Sequence, residues 1–410
     1  MDDRIILHCD CNSFFASVET VLNPEYKNVP MAVCGSVEDR HGIVLAKNEL
    51  AKKYGIQTAE TVYSAKKKCP RLVIAQPHHD AYLQFSKRVN AIYADYTDLI
   101  EPFGIDESWL DVTSSTRLFG SGLDIAEAIR KRVREEIGIT VSIGISFNKV
   151  FAKLGSDYKK PDAITCITKE NFKEIVYSLP ASALLFVGKK TALALKAIGV
   201  NTIGELSMIS QEVLIHRFGK SGEMLFKYSR GLDDSPVTNS AREDAKSVGN
   251  GFTFKHDLIT TEDCKLAIDY LSDEIGTRLR KKGLKCCTVS LSIRDDKLAV
   301  IQRQKPVDLP TDISKEISST AFDLLRKEWV IGKPIRTITI TASNLVRSEN
   351  VVEQINLFAE ESCIENREKT RVKEEAVDDI RRRFGDSAIV RGATIDSDIG
   401  LYSGPKKRNE

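Results

Sequence analysis

The order in which strand-like and helix-like patterns follow one another constrains this chain more than any single residue. A strand-like run, RIILHC (4–9), ends on Asp10, and a helix through FFASVETVL follows and stops before Pro24. PMAVCG, GIVLAK and LVIAQP read as strands, with NELAKKYG and VYSAKKKC as helices between them. Next come the long amphipathic pattern HDAYLQFSKRVNAIYADY, a hairpin around Asp106, a helix over 123–137, the strand ITVSIGIS (139–146), a helix over 148–158 and the strand AITCI. With the pieces before the long helix set aside as an insertion, the order is β-α-β-β-α-β, that of a ferredoxin-like sheet. Residues 174–240 read as a compact helical module. Residues 246–346 then repeat the rhythm: SVGNGFTF, a helix over 261–282, KCCTVSLSIR, LAVIQRQ, a helix over 312–328 and IRTITITASNL. The recurrence is one of topology, without a residue-level repeat. The expected fold class is therefore α+β and multidomain, and a chain of 410 residues, 42% of them hydrophobic, has room for cores in each module.

Composition excludes some classes of function. No apolar run approaches the roughly 20 residues that span a bilayer, and the start MDDRIILHCDCN lacks the basic region and apolar core of a secretory signal, so a cytoplasmic, membrane-free protein is expected. Nine cysteines, an odd number at irregular spacings, fit a reducing compartment. Cys9, Cys11, Cys34, Cys166, Cys286 and Cys287 lie in apolar, strand-like runs and read as buried thiols, while CDC and CC are not zinc spacings. The net charge of +2 is uninformative, but basic runs recur at 65–69, 130–134, 157–161, 278–285 and 380–384. Each alone reads as a solvated helix face, and together they suit a long polyanion.

The chemistry concentrates in FGIDESWLDV (103–112), where Asp106 and Glu107 stand side by side among strand-forming neighbours. Adjacent carboxylates at a half-buried strand end repel each other and resist desolvation unless a cation compensates them. An exposed hairpin turn is the plainer reading of the same residues. The β-α-β-β-α-β order tips the balance, because it lays the first strand beside the hairpin and lets Asp10 converge with Asp106 and Glu107 on one edge. Three carboxylates on rigid strands fit a two-metal site, and hard oxygen ligands favour magnesium. In the helical module, FVGKKTALALKAIGVNTIGEL reads either as a phosphate-holding helix-hairpin-helix or as an ordinary connector. After Arg347, the short apolar cluster Gln354-Ile355-Asn356-Leu357-Phe358 between polar flanks suits either a partner's groove or an intramolecular staple, and a charged helix over 365–384 follows.

In this order and spacing, DCNSFFASVE (10–19), AKNELAKKYGI (46–56), GIDESWLDV (104–112), VSIGISFNKVFAKLGSDYKKPDAI (141–164), the hairpin around Gly188 and KSVGNGFTF (246–254) resemble the Y-family translesion DNA polymerases, from about residue 4 to residue 346. The resemblance implies template-directed DNA synthesis with two Mg²⁺ ions, low fidelity and no proofreading. It implies a palm (1–13 and 77–173), inserted fingers (14–76), a helix-hairpin-helix thumb (174–240), a little finger (246–346) and a tail (347–410). By position, Asp10 and Asp106 match the aspartates that bridge both metals, Glu107 the ligand of the catalytic metal, and Cys11 a backbone-carbonyl ligand. Phe14 and Phe15 fall in the nucleotide site, with Phe15 as the steric gate against a ribose 2′-hydroxyl, where the plain alternative is a core aromatic. Lys52 and Lys160 match triphosphate contacts, and Gly188, Lys189 and Lys190 match DNA phosphate contacts. Gln354, Leu357 and Phe358 of QINLF look like the peptide that inserts into the sliding clamp. The implied partners are primer-template DNA, deoxynucleoside triphosphates and that clamp, for a monomeric, nucleoid-associated enzyme.

Three departures stand out. Many relatives carry Tyr and Arg where this chain has Glu49 and Lys52; Lys52 keeps the charge without the bidentate fork, and Glu49 repels phosphate. GIDE replaces the commoner Ser-x-Asp-Glu. Phe186 stands where the hairpin's first glycine usually lies. The rival readings are a palm-type nucleotidyl cyclase, which has no use for a hairpin module or a clamp peptide, and a catalytically inactive DNA-binding and clamp-binding adaptor, which has no need of all three carboxylates.

Overall fold

The computed structural model describes residues 4–36, 42–239, 245–330, 332–351, 361–395 and 397–401. The chain forms two compact units, Met1–Gly35 with Ile43–Arg242 and Ser36–Gly42 with Glu243–Glu410. The first contains β1 (Ile6–Cys11), β2 (Met31–Cys34), β3 (Val44–Lys47), β4 (Val73–Ala75), β5 (Ile100–Pro102), β6 (Glu107–Asp111), β7 (Val141–Ser146) and β8 (Ile164–Ile167). The second contains β9 (Ser247–Leu258), β10 (Leu284–Asp295), β11 (Val300–Thr311) and β12 (Ile335–Arg347).

Five strands of the first unit form one sheet in the order β5-β6-β1-β7-β8, with β1 antiparallel to both β6 and β7. Without β8 this is the ferredoxin-like arrangement expected from the sequence. Because side chains alternate along a strand, Leu7, Cys9 and Cys11 enter the core shared with Tyr82, Val89 and Ile125. Ile6, His8 and Asp10 take the opposite face, where Ile6 packs with Trp109 and with Ala152 of the helix Lys149–Tyr158. That helix starts at Asn148, whose side-chain oxygen accepts the Phe151 amide at 2.8 Å. It lies unusually close to the sheet over Gly144, where a Cβ atom would sit 1.9 Å from the Ala152 carbonyl oxygen and 2.4 Å from the Ser156 nitrogen. The first strand extends past its expected end, so Asp10 is paired within β1.

The small sheet β3-β2-β4 is inserted in the chain between β1 and the long helix His79–Ala94, and has its own core that includes Ala32, Val44, Ala51 and Ile56. The helical module follows β8, and its core takes in Val150, Phe151 and Leu154 of the helix Lys149–Tyr158.

In the second unit the β-α-β-β-α-β rhythm recurs, but the strand order is β11-β10-β12-β9. The last strand, β12, sits between β9 and β10, whereas in the first unit β1 sits between β6 and β7. The ferredoxin-like likeness of this unit is thus one of element order and not of strand order. The tail beyond residue 361 belongs to this unit: Ile399 and Leu401 are buried in its core, and Arg280 binds Glu374 and Asp378 of the helix Glu361–Phe384.

One expectation changes. Cys166 is exposed and Cys287 only half-buried, because each side chain takes the outer face of its strand. Within the basic runs some charges are already paired: Arg132 with Asp95 and Glu136, and Arg381 with Asp273. No helix among the described residues is long and apolar enough to cross a membrane.

The close approach at Gly144 yields a prediction. Gly144→Ala forces backbone apart from backbone, so it should lower stability by about 1–3 kcal/mol or more, read as a lower melting temperature; an unchanged melting temperature would contradict the packing described.

Candidate active site

The pairing of β1 with β6 sets Asp10 directly opposite Glu107, and the Asp106 carbonyl accepts the Cys11 amide at 2.9 Å. Asp10 and Glu107 therefore face each other on adjoining strands, and Asp106, next to Glu107 in the chain, feels the charge of both. Asp10 is only 8% exposed, so their mutual repulsion is poorly screened by water. Cations on the helix Lys149–Tyr158 and just after it supply part of the compensation. The Lys153 ammonium donates to Asp10 Oδ2 at 2.8 Å and to Glu107 Oε2 at 2.6 Å. The Lys160 ammonium lies 2.7 Å from both Asp10 Oδ2 and Asp157 Oδ1. Fully buried His8 places Nδ1 2.8 Å from Ser156 Oγ and Nε2 3.4 Å from Glu107 Oε2, the latter without an aligned hydrogen bond.

The compensation is uneven. Burial works against the Glu107 charge, yet His8 and Lys153 outweigh it and hold the carboxyl down at about 2. Burial, then the charges of Asp10 and Glu107, push Asp106 up to about 6. Burial also lowers the His8 pKa, against the opposing pull of Glu107 and Asp10. Ligand atoms of His8, Asp10 and Glu107 lie within 4.8 Å of one another. A buried carboxylate left short of positive charge beside further hard oxygen donors is a fitting site for a divalent cation.

A cleft of about 310 Å³ opens beside these residues. Asp10, Cys11, Phe14, Phe15, Lys52, Asp106 and Lys160, all singled out from the sequence, line it, and so do Lys47 and Thr58, which were not. The chain enters the cleft through Ser13, which holds a left-handed φ of 48° ahead of the helix Phe14–Leu22. Such a conformation costs a non-glycine residue on the order of 1–2 kcal/mol and persists where surrounding structure enforces it. Here Asn12 does so, donating to Ser142 Oγ at 2.8 Å and accepting from the Asp162 amide at 2.8 Å. Phe15 stacks on Tyr82, centroids 4.1 Å apart and planes 12° from parallel. Phe14 instead turns its ring into the core and is 3% exposed. Glu49 binds Lys52 at 2.5 Å.

Gly188, Lys189 and Lys190 are exposed at the start of the helix Lys189–Lys196, in the helical module and not in the cleft. Phe186, in the place of the usual glycine, has a φ of +66°, the region that glycine enters without penalty. Gln354, Leu357 and Phe358 lie outside the described residues.

His8, Lys153, Lys47 and Tyr82 are the site residues that sequence reasoning missed. Period-two alternation back from Asp10 already puts His8 on the same face, and Lys153 lies one helical turn from both Lys149 and Asp157. The uneven compensation predicts a trade of stability against function. The folded pKa of Asp106 lies above its unfolded value, so its ionisation destabilises the fold fully above about pH 6, and this cost is lost as pH falls through 6 toward 4. In chelator at pH 8, Asp106→Asn should therefore melt higher than the wild type, by on the order of 2–3 kcal/mol, with the gain gone near pH 4. A pH-independent difference, or a destabilised variant at pH 8, would contradict this electrostatic reading.

Residues 9–157 match the impB/mucB/samB family, residues 245–357 that family's C-terminal domain, and residues 184–233 the thumb domain described for DNA polymerase-iota. DNA polymerase IV of Acetivibrio thermocellus is 47% identical over 399 residues, covering 97% of this chain and 99% of that protein. DNA polymerase IV 2 of Bacillus subtilis is 35% identical over 402 residues, covering 96% and 95%. Among solved structures, the Y-family DNA polymerase chimera Dbh-Dpo4(243-245)-Dbh superimposes with a TM-score of 0.75 at 23% identity, covering 84% of this chain and 99% of that one, a likeness of fold. With this fold, an acidic sheet edge beside a lysine-lined cleft and full-length likeness to these relatives, the chain belongs to the Y family of DNA polymerases, the translesion DNA-directed DNA polymerases.

Proposed function

We propose that this polymerase extends a primer on damaged templates by nucleotidyl transfer at Asp10, Asp106 and Glu107, using deoxynucleoside triphosphates and two Mg²⁺ ions. The observation that carries the reading is that Asp10 and Asp106 line a cleft sized for a small ligand, with Glu107 paired opposite Asp10 in the adjoining strand. In the reaction the primer 3′-oxygen forms a bond to the α-phosphorus while the bond from that phosphorus to the bridging oxygen breaks, and pyrophosphate leaves. Asp10, Asp106, Glu107 and the Cys11 carbonyl would hold the ions. Bound Mg²⁺ lowers the pKa of an attacking hydroxyl and screens phosphate charge.

The chain's own residues supply the rest. Lys153 and His8 orient Glu107, and Lys160, drawn off Asp10, is placed to meet phosphate oxygens. Phe15, backed by the Tyr82 ring, cannot yield to a 2′-hydroxyl without losing that stack. On this reading residues 1–13 with 77–173 act as palm, 14–76 as fingers, 174–240 as thumb, 246–346 as little finger and 347–410 as tail. Gly188, Lys189 and Lys190 grip DNA phosphate, and Gln354, Leu357 and Phe358 engage the sliding clamp. The enzyme works as a monomer of low fidelity. Among the segments assigned, none is left over for a proofreading nuclease. The full-length match to polymerases leaves the cyclase and adaptor readings without support.

Primer extension on an undamaged template with Mg²⁺ and all four deoxynucleotides should give short products with the wild type and none with Asp106→Ala; equal extension by both would remove the catalytic assignment. Phe15→Ala should raise the ratio of ribonucleotide to deoxynucleotide incorporation by at least tenfold, on the order of the 1–3 kcal/mol set by pocket contacts, and an unchanged ratio would remove the gate. Leu357→Ala with Phe358→Ala should abolish capture by an immobilised sliding clamp; undiminished capture would sink that assignment.

A further inference from the structure

Three lysines line the cleft, and their surroundings differ. Lys160 is held by Asp10 and Asp157, and Lys52 by Glu49. Among the described residues Lys47 donates only to a neutral hydroxyl, Thr58 Oγ1, at 2.9 Å. Among the described residues no carboxylate lies within ion-pair distance of it, and Glu49 and Glu60 act on it only from farther away. Partial burial and the like charge of Lys52 make this ammonium costly to keep charged, and its pKa is lowered accordingly. An uncompensated, half-buried cation in a cleft is a site for an anion.

The backbone that carries it is rigid. Lys47 ends β3, in register with Ala32 of β2, and the next residue, Asn48, is fixed on three sides. Its side chain accepts the Met31 amide at 3.1 Å and the Ala51 amide at 2.9 Å and donates to the Val29 carbonyl at 2.8 Å. The ammonium is therefore presented from a strand end, while Lys52 sits on a one-turn helix and must leave Glu49 before it can act.

We propose that Lys47, beside Thr58, is the principal fingers-side contact to the triphosphate of the incoming nucleotide, and that Glu49 holds Lys52 back from that role. The proposal rests on the nucleotidyl-transfer reading above and names which residue of this chain takes the phosphate. It accounts for Glu49, which would otherwise be a bare carboxylate facing an anion: paired with Lys52 it is neutralised, and the net positive charge of the cleft wall falls to Lys47.

Single-nucleotide primer extension at constant free Mg²⁺ tests this, with inorganic tripolyphosphate as a competing anion. Lys47→Ala should raise KM for the deoxynucleotide on the order of tenfold or more, the effect of losing a charge-assisted hydrogen bond. It should weaken inhibition by tripolyphosphate by a similar factor and lower kcat much less. Lys47→Arg should recover most of the loss. Lys52→Ala alone should change KM by less than Lys47→Ala, while Glu49→Gln should lower KM in the wild-type background and not in Lys52→Ala. An unchanged KM and tripolyphosphate inhibition in a Lys47→Ala protein of wild-type melting temperature would overturn the proposal, as would a larger KM effect from Lys52→Ala. A wild type that extends no primer would instead strike the underlying polymerase reading.

Discussion

Repulsion among three carboxylates at one sheet edge is the constraint around which the first unit is organised. The antiparallel register of β1 and β6 puts Asp10 against Glu107 with Asp106 one residue away, and burial denies them the screening of bulk water. Such an arrangement persists only because a lysine-bearing helix lies almost in contact with the sheet. Gly144 makes that contact possible, and through it Lys153 bridges Asp10 and Glu107 while Ser156 meets His8. The compensation stops short of Asp106, which remains the carboxylate most in need of positive charge. A fold optimised for stability alone would not leave it so.

The cleft shows the same economy of placement. A β-sheet presents Asp10 and Cys11, the turn and helix after it present Ser13 and Phe15, and the end of β3 with the chain that follows it presents Lys47 and Thr58. Lys47 and Lys52 thus line the same space of about 310 Å³ as Asp10 and Asp106, from separate elements. A group with both metal-seeking oxygens and a long anionic tail, as the proposed reaction requires, is matched to that layout.

Much of this was legible in the residues. Asp106 and Glu107 declare themselves because charged neighbours inside an apolar, strand-forming run demand a reason, and the β-α-β-β-α-β order of the first unit was enough to bring Asp10 to them. What the sequence could not convey depends on contacts between distant segments. His8 looks like one more polar residue in a strand until the helix Lys149–Tyr158 is known to sit over it. Lys153 is one lysine among many until that helix's face is fixed. Phe14 and Phe15 are indistinguishable as letters, and only the direction of the helix turn sends one ring into the core and the other onto Tyr82. The strand order of the second unit was likewise hidden, because the same succession of elements is compatible with β12 on either side of β9, and pairing between strands far apart in sequence decides it. Nor does local charge reveal that Asp95 or Asp273 has already claimed an arginine of a basic run.

The central claim, that Asp10, Asp106 and Glu107 together hold the metal that serves nucleotidyl transfer, is tested most directly by a crystal structure with primer-template DNA, a non-hydrolysable deoxynucleotide and Mn²⁺, read by anomalous scattering. The account predicts anomalous peaks among these three carboxylates, with the Lys160 ammonium moved from Asp10 onto the triphosphate. A bound nucleotide with no manganese at the three carboxylates, or with Lys160 still paired to Asp10, would contradict it.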